Sequence, residues 1–105
     1  MKLLIDTNVI LDMVLKRNGC DISIELFRKI KKLGASAYIT ASSVTEKDIQ
    51  DAFGQKWKDF EDCVQYVTGK SNKMNYIITV NRKDYKDVLL PVMTPTAWID
   101  MINVK

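Results

Sequence analysis

Three short acidic signatures constrain this chain more than any other feature: Asp6 in LLIDTNVILD, Asp62 in KDFEDCVQYV and Asp84 in YIITVNRKDY. Strands that run parallel in an α/β sheet bring their carboxyl ends to one edge, so residues just beyond those ends converge from distant parts of a chain. Two carboxylates about 4 Å apart repel by roughly 1 kcal/mol in water and about 4 kcal/mol at an effective dielectric near 20, and a divalent cation resolves that repulsion. The pattern therefore points to metal-dependent chemistry on phosphate.

The 105 residues are enough for one domain with one core. Apolar residues make up 47% and charged residues 28%, a balance that argues against disorder. There is no histidine and the net charge is +3, so acid–base work and metal ligation fall to carboxylates, lysines or bound water. The lysine excess, spread over Arg28–Lys32, Lys56–Lys58, Lys70–Lys73 and Arg82–Lys86, suits a polyanion or an ordinary solvated face. Cys20 and Cys63 have no CxxC spacing, which leaves neither zinc nor thioredoxin-like chemistry and predicts reduced thiols. Asp6 interrupts the first apolar run, far short of the about 20 residues of a membrane span. A cytoplasmic protein with no membrane partner is expected.

Lys2–Ile5 reads as a buried strand delivering Asp6 to a loop, and Val9, Ile10, Met13 and Val14 form a helical stripe after it. A second helix, capped by Asp21, carries Ile24, Phe27, Ile30 and Leu33 to a stop at Gly34. Ala37–Thr40 reads as the next strand. Ser43-Val44-Thr45-Glu46 has the capping-box pattern, with Ile49, Ala52 and Phe53 on the face of the helix it starts. Trp57, Phe60, Val64 and Val67 share one stripe, which predicts a single helix ended by Gly69, Ser71 and Asn72. Tyr76–Val80 and Val92–Met93 read as strands, and Thr94-Pro95 as the cap and first position of a last helix with Trp98 and Ile99. This order predicts an α/β/α sandwich around a short, mostly parallel, four-stranded sheet. Trp57, Phe60 and Trp98 lie on apolar stripes and read as core, not as a base-stacking platform.

MKLLIDTNVILD, then ITASSVT, DFEDCVQYV, YIITVNRKDY and PVMTPTAWI together resemble the PIN-domain family, in particular its small toxin-like bacterial ribonucleases. The likeness runs from Met1 to about Ile102. Against the family pattern the domain looks internally shortened, lacking a helical hairpin and one strand around residues 45–47. The resemblance implies Asp6, Asp62 and Asp84 as ligands of Mg²⁺ or Mn²⁺, with Asn8, Asp59, Thr79 and Asn81 in support. It implies RNA as substrate and, in a toxin–antitoxin setting, an antitoxin protein as partner. A missing strand would leave the Ala37–Thr40 edge free, which predicts a homodimer, with the segment around Ser42–Phe53 available for exchange.

Each residue also has a plainer reading. Asp6 can be the N-cap of the following helix, Asn8 can satisfy only backbone groups, and Asp84 can belong to a polar turn. Asp62, placed mid-helix, can pair with a lysine such as Lys58, and Asp59 can offset the helix dipole. Glu46 is either a fourth site carboxylate or the glutamate of the capping box. Two functions follow: a PIN-like endoribonuclease hydrolysing phosphodiesters with metal-activated water, or a catalytically weak remnant persisting as a dimerising module. A receiver-like phospho-acceptor also clusters aspartates, but the DTN and TVNRKD contexts fit it poorly.

Overall fold

Lys2–Ile5 forms the central strand β1, with Leu3 and Ile5 buried on one face and Lys2 exposed. The computed structural model of the chain describes residues 1–40, 45–67, 73–86 and 88–104. In chain order its elements are β1, α1 (Thr7–Val14), α2 (Cys20–Leu33), β2 (Ser36–Thr40), α3 (Glu46–Phe53), α4 (Trp57–Phe60), β3 (Val64–Val67), β4 (Tyr76–Ile78), β5 (Val92–Met93) and α5 (Pro95–Asn103). Single 3₁₀ turns span Gly54–Lys56 and Arg82–Tyr85. The five strands are all parallel, in the order β3-β2-β1-β4-β5. No helix among the described residues is long and apolar enough to cross a membrane.

Strand alternation sorts the side chains. Leu3 pairs with Ala37 and Ile5 with Ile39 and Ile78, and all five are buried on one face of the sheet. That face packs against Val9, Ile10 and Met13 of α1, Leu26, Phe27 and Ile30 of α2, Ile49 and Phe53 of α3, Phe60 of α4, and Trp98 and Ile99 of α5. All five α-helices thus share a single core, and the described residues build the sheet and one helical layer of the expected sandwich. Phe27 meets Phe53 edge-on, with ring centroids 5.4 Å apart, and Phe53 lies 5.2 Å from Phe60, within the favoured range for aromatic pairs. Cys20 and Cys63 are both free, and Cys63 is buried. Gly34, in the left-handed region at φ 71°, closes α2 with its N–H on the Ile30 and Lys31 carbonyls.

Four features differ from the sequence reading. The stripe from Trp57 to Val67 is not one helix: α4 ends at Phe60, and Val64–Val67 becomes β3, paired with β2 from Ala37↔Val64 to Thr40↔Val67. Val-Gln-Tyr-Val has high strand propensity, and the outer edge of β2 needs backbone partners that a helix cannot supply. The sheet therefore has five strands instead of four, and the β2 edge is covered within the chain, which removes the premise of the edge-driven dimer. The α3 capping box is formed by Thr45 with Asp48, each side chain meeting the other's backbone N–H at 3.1 Å, which puts Glu46 at the first helical position instead of the third. Gly19, not Asp21, occupies the N-cap of α2, leaving Asp21 in its first turn. Ser43, the Gly69–Asn72 stop and the Ser42–Val44 part of the proposed exchange segment lie outside the described residues.

Candidate functional site

Parallel strands give the sheet two chemically distinct edges. At the carboxyl edge, β1 ends in Asp6, which caps α1 with φ −64° and ψ 143°. Its Oδ1 accepts from the Asn8 N–H at 3.4 Å, and its Oδ2 accepts from the Thr79 hydroxyl at 2.6 Å. The cap and site readings of Asp6 are therefore compatible, since one oxygen serves each. Thr79 is fully buried at the end of β4, and its Oγ1 also accepts from the Asn81 N–H at 3.0 Å. Asn81 in turn accepts at its carbonyl from the Asp84 N–H at 3.1 Å. One buried hydroxyl thus connects the carboxylate after β1 to the turn that carries the exposed Asp84. Asn8 and Asn81 contribute through backbone groups.

Tyr85, which the sequence reading left without a role, completes this edge. Burial, followed by the negative charges of Asp6 and Asp84, pushes its phenol up to about 12. Its only signal in the sequence is an aromatic directly after Asp84 in a one-turn helix, which does not tell which way the ring points. Val80, Asn81, Arg82, Lys83, Asp84 and Thr94 line an open depression beside it.

Glu46 begins α3, is exposed, and accepts from the Gln50 side-chain amide at 3.3 Å. Its charge reaches Tyr66 on β3, where burial first and Glu46 second push the phenol up to about 12. The Tyr66 hydroxyl is buried with no partner among the described residues.

Asp62 belongs to the opposite edge. It sits in the turn just before β3, and its Oδ1 accepts from Lys31 in the last turn of α2. The Lys31 ammonium holds the Asp62 carboxyl below the usual carboxylate range. Asp59, also exposed, lines a shallow depression there with Arg28, Lys31, Lys32, Lys56 and Phe60. The expected three-aspartate centre is therefore not assembled: Asp62 leaves the set because the helix expected to carry it ends at Phe60. Among the described residues no group of three or more acids, thiols or imidazoles is arranged to hold an ion.

What remains is the pair Asp6 and Asp84, whose charges both reach Tyr85. Mg²⁺ commonly keeps several waters and takes one or two carboxylates plus substrate phosphate. The donor set at the carboxyl edge, all oxygen, fits a cation held in that way and does not fit a fully protein-ligated one. No described protein family, curated protein or solved structure matches the chain.

Proposed function

We propose that the carboxyl edge is the active site of a PIN-like endoribonuclease, with Asp6 and Asp84 sharing a Mg²⁺ or Mn²⁺ ion with the substrate phosphate. The observation that carries this reading is the Thr79 hydroxyl, which donates to Asp6 and accepts from the Asn81 amide. Two acids from separate strands are thereby held at one edge, where their repulsion favours a cation. Bound there, the cation would supply charge neutralisation at the phosphate and activation of water. Thr79 fixes the orientation of Asp6, and Arg82 and Lys83, beside Asp84 in the same depression, supply positive charge for an RNA backbone. The test is cleavage of single-stranded RNA with Mn²⁺. It is expected to be lost in Asp6→Asn and Asp84→Asn and retained in Asp62→Asn, whereas cleavage surviving in Asp6→Asn overturns the proposal.

The second reading, a domain that binds without cleaving, is favoured by one observation: only two carboxylates remain where the resemblance implies three. It expects no cleavage by clean protein at high concentration with Mn²⁺.

A further inference from the structure

We propose that a recess beside the candidate active site seats a guanine base, with the Asp12 carboxylate as the group that reads it. The inference rests on the ribonuclease reading of the carboxyl edge and adds to it a base preference. The recess, of about 260 Å³, has Asp12 of α1, Ile22 of α2, Val80 after β4, and Thr94, Pro95 and Thr96 at the start of α5 in its wall. That volume falls just under the roughly 300–1,000 Å³ of pockets for drug-sized ligands, which suits one planar base. Val80 and Thr94 also line the depression of Arg82, Lys83 and Asp84, so the two adjoin. A strand whose phosphate lies by Asp84 can place a neighbouring base in the recess.

Ile22 and Val80 are 39% and 43% exposed, two large apolar side chains left open in one wall, where they offer aliphatic faces to a base ring. The polar groups of the recess differ in what they have left to give. The Thr94 Oγ1 accepts from the Ala97 N–H, and the Ser23 hydroxyl donates to the Val9 carbonyl. The Asp12 side chain is only 14% exposed, yet its ion-pair partner Arg17 stands 3.9 Å away, beyond hydrogen-bonding distance. Gly19 leaves room for this carboxylate, since a Cβ there would lie 2.6 Å from the Asp12 Oδ2.

A carboxylate accepts at two oxygens and donates at neither. Guanine alone presents two adjacent N–H donors on its Watson–Crick edge, N1–H and the N2 amino group, and so meets a carboxylate with two parallel bonds. Adenine and cytosine present one amino group beside a ring acceptor, and uracil one N–H between two carbonyls. A basic protein segment would also meet Asp12, but Arg82 and Lys83 beside the recess repel such a segment and attract phosphate.

The experiment measures fluorescence anisotropy of labelled oligouridylates with the full chain in EDTA, which reads binding without cleavage. One strand carries a central guanosine, one an inosine, which lacks only the N2 amino group, and one is uridine throughout. The guanosine strand is expected to bind roughly tenfold more tightly than the inosine strand, the scale of one hydrogen bond to a charged group, and at least as much more tightly than the uridine strand. Asp12→Asn is expected to bind all three within about twofold of one another. Equal or reversed binding of the three strands by the unsubstituted chain, binding of none, or a guanosine preference that survives in Asp12→Asn overturns the guanine seat. The inosine comparison changes the ligand and not the protein, so it decides the matter even if a melting curve shows Asp12→Asn to be unfolded. Cleavage with Mn²⁺ but no guanosine preference overturns the seat and leaves the nuclease reading intact, while a preference without cleavage overturns the nuclease reading and leaves the seat on a domain that binds RNA.

Discussion

The two edges of the sheet carry the same residue types and treat them in opposite ways. At the amino edge, Asp62 is exposed and paired with Lys31, so its charge is already answered by a protein cation. At the carboxyl edge, Asp6 is half-buried, and its partners are a buried hydroxyl and a backbone amide. The lesson is that an aspartate becomes a candidate ligand when its surroundings fix it by hydrogen bonds and not by a direct ion pair. Among the described residues Asp6 is held by hydrogen bonds alone, whereas Asp62 is held by an ion pair.

The largest expected effect breaks the comparison outright if it fails. Asp6→Asn should lower Mn²⁺-dependent RNA cleavage by roughly 100-fold or more, the loss of several kcal/mol of charge stabilisation. Asp62→Asn should leave the rate within about twofold, because an exposed ion pair contributes little. Equal losses in the two variants, measured in one cleavage assay, would show that the edges are not distinct.

Next in size is Thr79→Val, which keeps the shape and removes the hydroxyl. Asp6 loses a donor and the Asn81 N–H loses an acceptor, and leaving such groups unpaired costs about 1–3 kcal/mol. Urea unfolding midpoints measure this, and an unchanged midpoint would show that the hydroxyl does not hold the carboxyl edge together.

Tyr66 sharpens the same contrast through Glu46. A phenol pushed up to about 12 in the folded chain against about 10 when unfolded contributes stability that is full below about pH 10. That contribution is lost as pH rises through about 12. Tyr66→Phe should remove this part of the alkaline decline and change neutral stability by less than about 1 kcal/mol, since the hydroxyl has no partner among the described residues. Glu46→Gln should lower the titration of Tyr66 in an ultraviolet pH series, and a static titration would separate Glu46 from this edge.

The smallest effect concerns Asp62. Its carboxyl is held below the usual range by Lys31, so the pair's contribution is present above the unfolded aspartate value and is lost as pH falls through the lower folded one. Asp62→Asn should flatten the acid limb of stability only near the detection limit of a melting curve, because both side chains are exposed. A large flattening would make this pair a structural element.

The carboxyl edge was legible in the sequence where local rules and tertiary demands agree. An apolar run ending in Asp-Thr-Asn specifies both a strand end and a helix cap, and Thr79-Val80-Asn81 follows a β-rich run, so Asp6, Thr79 and Asp84 fall where expected. Trp57 to Val67 misled because two patterns overlap there. A helical stripe of apolar residues coincides with a strand-forming Val-Gln-Tyr-Val, and what decided between them was the bare flank of β2, a partner distant in sequence. Asp62 was misplaced by the same error, since its position depends on whether the helix continues past Phe60. Tyr85 went unassigned for a different reason: the direction of a ring on a single turn is set by tertiary packing, which no spacing encodes.

The strands that support the site are unequal in length. β1 is flanked on both sides, while β5 supplies only two residues, and the rungs that tie β4 to it are the Ile77 N–H to Pro91 and the Thr79 N–H to Met93, both 2.9 Å. Short, peripheral pairing of this kind opens at a fraction of the free energy of global unfolding. The Thr79 amide should therefore exchange its hydrogen sooner than those of β1. Each such opening would loosen the hydroxyl that steadies Asp6 while the helical core stays closed, so the carboxyl edge can come apart and reassemble many times within the lifetime of one folded molecule.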